Sequence, residues 1–76
     1  MNNELPIYVI YDHPKDYPEH YVVRRQVIRG GQIIPDANPM LVTEDLEKIR
    51  QGMKRLGLTR LVRRTDDDPV IVETWL

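Results

Sequence analysis

The chain has 76 residues, a formal net charge of −1, no cysteine and no serine. A chain this short makes one domain, residues 1–76, and with no disulfide or thiolate metal site its stability must come from packing or from a partner subunit. Its longest apolar stretches, such as Ile7 to Tyr11, fall far short of the roughly 20 residues a membrane span needs, and the polar start Met1-Asn2-Asn3-Glu4 is unlike a secretory signal, so a cytoplasmic protein with no membrane contact is expected.

Leu5 to Tyr11 is rich in β-branched and aromatic residues, which predicts a first strand from about Ile7 to Tyr11 with Pro6 at its start. Both alternating faces of that strand are apolar, as in a strand inside a sheet with both sides covered. Asp12 to His20 contains Pro14 and Pro18 and reads as a structured loop. Strand composition resumes over Tyr21 to Arg29. There Arg29-Gly30-Gly31-Gln32 is a two-residue hairpin signal, because glycine accepts the positive φ of primed turns. That register sets Ile28 opposite Ile33 and Val27 opposite Ile34, with Pro35 ending the return strand. A second loop follows over Pro35 to Pro39.

Thr43 is the expected N-cap of a helix from about Glu44 to Leu56, with Glu44, Asp45 and Glu47 in its first turn. Leu46, Ile49, Met53 and Leu56 form one apolar stripe, and Lys54 and Arg55 occupy the last turn. Gly57 falls at the left-handed C′ position, with Leu58 folding back onto Met53. Gly52 costs about 1 kcal/mol relative to alanine and reads as a close approach to the sheet. Thr59 to Arg64 and Val70 to Trp75 complete the set as two strands joined by a hairpin loop over Thr65 to Pro69. The order β-β-β-α-β-β predicts a two-layer α+β fold, an antiparallel sheet of four to five strands covered on one face by a single helix.

Charge is segregated along this order. Residues 48–64 carry seven positive side chains (Lys48, Arg50, Lys54, Arg55, Arg60, Arg63, Arg64) and no acid, whereas residues 36–47 and 65–76 each sum to −4. Such blocks favour an anionic partner, an acidic protein surface or self-association over a small neutral ligand. Arg24, Arg25 and Arg29 on the second strand and Arg60, Arg63 and Arg64 on the fourth would form one guanidinium-rich face if those strands were neighbours. Tyr8 or Trp75 could then stack bases beside phosphate-pairing arginines. The plainer reading is that the helix cations face solvent while the strand arginines protect edges and pair with Glu73 and Asp66 to Asp68. Strand two alternates poorly, which calls for a bulge near Arg24-Arg25 or a second chain over the sheet's other face. Trp75 and Leu76 are large apolar residues in need of a docking place.

Chemistry has little to work with. Without serine or cysteine the commonest nucleophiles are absent; Thr43, Thr59, Thr65 and Thr74 remain, and none of them has a histidine nearby in sequence. The loop residues Asp12, His13, Asp16, Glu19 and His20 are the one local cluster of metal-ligand types, but their spacing matches no strong metal motif. Asp66-Asp67-Asp68 lacks the ligand pattern of a calcium loop and reads as a solvated turn. Gly30-Gly31 joins two strands and is therefore no phosphate-cradling loop.

The segments Tyr8-Val9-Ile10-Tyr11-Asp12-His13-Pro14 to Tyr17-Pro18, Tyr21-Val22-Val23-Arg24-Arg25 and Asp67-Asp68-Pro69-Val70-Ile71-Val72-Glu73-Thr74-Trp75-Leu76 together resemble a group of small uncharacterised bacterial and phage-borne proteins. The resemblance spans nearly the whole chain and implies a free-standing cytoplasmic domain, with no catalytic residue or cofactor to carry over. The expected function is that of a small non-enzymatic protein-binding module, contacting another protein or a second copy of itself as a homodimer through Arg24, Arg25, Arg60, Arg63, Arg64 and Trp75. Single-stranded nucleic-acid binding is the alternative, and a metal-dependent enzyme built on His13 and His20 is the second alternative. No cofactor and no resident metal are expected.

Overall fold

In the computed structural model, residues 4–36, 38–61 and 70–76 are described. The chain folds as α+β, an open antiparallel sheet with one helix, in agreement with the expected class. Its elements are β1 (Leu5–Asp12), β2 (Tyr21–Arg29), β3 (Gln32–Pro35), β4 (Leu41–Thr43), α1 (Leu46–Arg55), β5 (Arg60–Leu61) and β6 (Ile71–Trp75). The strands run β3-β2-β1-β6-β5, with β4 also pairing to β2. β1 is therefore central, as its two apolar faces predict, and Val9 and Ile10 are both buried.

The β2–β3 hairpin has the register read from its glycines, Ile28 opposite Ile33 and Val27 opposite Ile34. Gly30 and Gly31 both take positive φ, 56° and 81°. β4 was not expected, because three residues are too few to reveal alternation. It continues along the same edge of β2 that β3 begins, pairing Val23 with Leu41 and Tyr21 with Thr43. Between the two stretches the strand pairing lapses opposite Arg24 and Arg25, bounded by Asp36 N–H to Arg25 O at 3.1 Å and Met40 N–H to Val23 O at 2.8 Å. The irregularity near Arg24-Arg25 thus belongs to the partner strand. β2 itself pairs with β1 without a shift from Leu5↔Ile28 to Asp12↔Tyr21.

Helix α1 differs from expectation at its start. Asp45 is the N-cap, accepting from Glu47 N–H at 2.9 Å, while Thr43 closes β4 and its Oγ1 accepts from Asp45 N–H at 3.2 Å. Thr43 is held by strand pairing and cannot also lead the helix. The far end is as expected: Gly57 at φ 75° donates to Lys54 O at 3.0 Å and Leu58 N–H donates to Met53 O at 3.1 Å, the two bonds of a Schellman stop. Gly52 makes no close approach to the sheet, since a Cβ built there meets nothing within 4 Å. Ile10, Val23, Ile49, Met53 and Trp75 form the core, with Tyr8, Tyr21, Leu46, Leu58 and Val72 packed on it. The expected loop over Thr65 to Pro69 and the outer half of the expected fourth strand lie outside the described residues.

Candidate interaction surface

Cross-strand partners share a face, so the register sorts the sheet into two surfaces. Under α1 lies a row running Arg25, Tyr8, Trp75, Arg60 across β2, β1, β6 and β5. Beside it Val23, Ile10 and Glu73 form the next row. The helix-free face instead carries the row Arg24, Val9, Thr74, Leu61, and toward the hairpin Ile7 with Gln26, then Leu5, Ile28 and Ile33. Arg24 and Arg25 consequently point to opposite sides of the sheet, and β2 and β5 are separated by β1 and β6 rather than adjacent.

Of the arginines named from sequence, Arg24 therefore lies on the opposite face from Arg25 and Arg60. Arg24 meets Asp16 at 2.5 Å, Arg25 meets Asp36 at 4.0 Å, and Arg60 meets Glu73 at 3.8 Å. Arg29 pairs with Glu4. Arg25 and Arg60 share a row with Trp75, but Trp75 is only 3% exposed and belongs to the core rather than to a docking surface. Arg63 and Arg64, like Asp66 to Asp68, lie outside the described residues.

Glu73 is the charged residue whose importance the sequence understates. It is 5% exposed, takes Arg50 Nε and Nη2 at 3.2 and 3.4 Å, and accepts the Trp75 indole N–H at 3.1 Å. The hydrogen bond to Glu73 holds the Arg50 guanidinium above the ordinary arginine range, against a smaller opposing effect of burial. Pairing of a strand arginine with Glu73 is as expected and Arg60 makes it, but nothing local says that the carboxylate is buried or that Arg50 and an indole also close over it.

In the loop after β1 the ligand types are dealt out to different partners. His13, at φ 50°, contacts Asp12 and sets its ring edge-on to Tyr21 with centroids 5.1 Å apart. Asp16 takes Arg24, and His20 lies 3.9 Å from Glu44. Among the described residues no three of His, Cys, Asp or Glu converge as a metal site. The Asp16–Arg24 contact draws this loop onto the helix-free face, over the end where Val22 is fully buried.

The opposite end of that face is open. Ile33 is 62% exposed and Leu5 46%, flanking the half-buried Ile28, and Leu61 farther along is 42% exposed. No pocket forms among the described residues, so the candidate site is this surface rather than a cleft. No helix among them is long and apolar enough to cross a membrane. A second exposed feature is the outer side of α1, where Lys48, Lys54 and Arg55 have no carboxylate partner among the described residues. Comparison of the chain with family models, curated proteins and solved structures finds no match.

Proposed function

We propose that this chain is a small non-enzymatic protein-binding module that docks through the open, hairpin end of its helix-free sheet face. The observation that carries the reading is the row Leu5, Ile28, Ile33, in which three neighbouring strands line up apolar side chains, two of them exposed. Single exposed hydrophobic residues are ordinary, but a contiguous apolar surface of this kind is characteristic of interaction sites. Arg24, paired to Asp16, borders the surface and fixes the loop beside it. A photo-crosslinking residue installed at position 33 in the expressing cell tests this. Adducts are expected from position 33 and not from position 51 on the outer side of α1. A chain without adducts from either position 33 or position 5 would overturn the reading.

Lys48, Lys54 and Arg55 on α1, without a carboxylate partner among the described residues, favour one second reading, an anionic partner such as single-stranded nucleic acid held by phosphate contact. Base stacking adds nothing to it, because Trp75 is buried and Tyr8 packs on the core. Oligonucleotide affinity that falls steeply with salt and drops further in Lys48→Glu/Arg55→Glu would support it. Absence of binding at low ionic strength would remove it.

A further inference from the structure

We infer that the loop from His13 to His20 is a latched cover on the helix-free face. Closed, it hides the row Tyr11, Val22, Val42; swung outward, it extends the apolar surface from the hairpin end across the sheet. The inference rests on the docking surface proposed above and supplies its regulation. Burial is the first argument. Helix α1 packs on the other face, yet on this one Val22 is 0% exposed and Val9 5%. Tyr11 accounts for Val9. Gln26 Nε2 donates to the Tyr11 hydroxyl at 3.0 Å, and Gln26 stands opposite Ile7, two same-face positions back from Tyr11. The phenol ring therefore lies along Val9 and leans away from Val22. Among the described residues it is the loop that reaches Val22. Asp16 meets Arg24, the next residue on the Val22 side of β2, and Pro14 and Tyr17 are half-buried while Lys15, Asp16, Pro18 and Glu19 are exposed.

The fastening supplies the second argument. Tyr17 N–H donates to Pro14 O at 2.9 Å and His20 N–H to Tyr17 O at 3.2 Å, and the two prolines hold their own φ, so the loop moves as one stiff piece. His13 N–H to His20 O at 3.0 Å closes its base. Between its tip and the sheet the described residues give one polar tie, Asp16 to Arg24 at 2.5 Å, a partly exposed pair of the kind that contributes little. His13, where the loop begins, takes φ 50° and is the one non-glycine residue with positive φ among the described residues. That left-handed angle strains a residue with a Cβ, and opening of the loop relieves it. A stiff piece on a strained hinge, held down by one ion pair, opens without unfolding the sheet beneath it.

The chain has no cysteine, so one introduced thiol reports on one place. The rate at which Val22→Cys reacts with a thiol-specific disulfide reagent tests the inference, with Ile33→Cys as the exposed reference. The thiol at position 22 should react at least about tenfold more slowly than the reference. Its rate should stay flat through low urea, because swinging the loop exposes little surface. Adding Asp16→Ala should speed it by about two- to fivefold, and crosslinks from position 33 should rise in the same variant. Should Val22→Cys lack the parent's circular dichroism spectrum, Val42→Cys, half-buried in the same row, carries the measurement. A rate that climbs with the full urea slope of global unfolding, or that ignores Asp16→Ala, would overturn the cover. Crosslinks that do not change on adding Asp16→Ala would overturn its regulatory role. Flat, Asp16-dependent labelling in a chain that forms no crosslinks would leave the cover standing and remove the docking reading. Crosslinks from a chain whose thiol at position 22 reacts only on global unfolding would do the reverse.

Discussion

Trp75 and Glu73, two positions apart on β6, are joined by a hydrogen bond from the indole Nε1 to Glu73 Oε1 at 3.1 Å, and both are buried. Strand alternation puts residues i and i+2 on one side, so the carboxylate and the ring lie together beneath α1. A buried indole N–H needs an acceptor, and here a carboxylate supplies it. Arg50 reaches the same carboxylate from α1, so the helix is tied to β6 by a polar cluster as well as by Ile49 and Met53. Arg50 has its pKa raised, and a raised base contributes stability that is present below its unfolded value and lost only as pH rises past its folded one. The contribution of Arg50 is thus complete through neutral and moderately alkaline pH.

Glu73→Ala leaves the indole N–H and the Arg50 guanidinium without their acceptor, and should destabilise the fold by about 3 kcal/mol. Glu73→Gln keeps an oxygen for the indole while losing the charge, and should cost about 1–2 kcal/mol. Urea midpoints at constant slope measure both. An alanine variant as stable as the parent would mean that the cluster does not hold the helix.

Asp45 caps α1 through Glu47 N–H, whereas Thr43 receives only the Asp45 N–H. Asp45→Ala should therefore cost about 1 kcal/mol, and Thr43→Ala less than half of that. Thermal melts of the two variants give the order, and the reverse order would return the cap to Thr43.

That cap illustrates what could be read from the chain and what could not. Thr43-Glu44-Asp45 offers two good capping residues, and local chemistry cannot choose between them. Tertiary pairing chose, because Thr43 lies opposite Tyr21 on β2. The hairpin at Gly30-Gly31 and the stop at Gly57 were legible because each depends on backbone angles that glycine alone accepts readily. The helix stripe was legible because its period is its own. β4 was not, since three residues carry no period. The candidate site was legible only in part. Alternation separates Arg24 from Arg25 whatever the fold, but which strands flank β2, and hence whether Arg60 approaches Arg25, is a matter of strand order that no local signal records.

The two adjacent arginines differ in what they hold. Arg24 is three-quarters covered and meets Asp16 at 2.5 Å, while Arg25 is more exposed and meets Asp36 at 4.0 Å. Double-mutant cycles should give a coupling of about 0.5–1 kcal/mol for Arg24 with Asp16 and close to zero for Arg25 with Asp36. High salt should shrink the first little, because the pair is partly shielded. Equal couplings would mean that the loop is not anchored to the helix-free face through Arg24.

Gly52 and Gly57, five residues apart, should respond to the same substitution with opposite signs. Gly52 is inside α1 and has open space where a Cβ would go, so Gly52→Ala gains helix propensity without a clash and should stabilise by about 0.5–1 kcal/mol. Gly57 also has open space, but its φ of 75° is left-handed. Gly57→Ala must either hold a strained backbone or give up the bonds to Lys54 O and Met53 O, and should destabilise by about 1 kcal/mol. Chemical denaturation of both variants separates the terms, since available space is the same at each site and only the backbone angle differs. Stabilisation by both would show that the turn after α1 yields without loss, and destabilisation by both would show that Gly52 serves a contact its surroundings do not reveal.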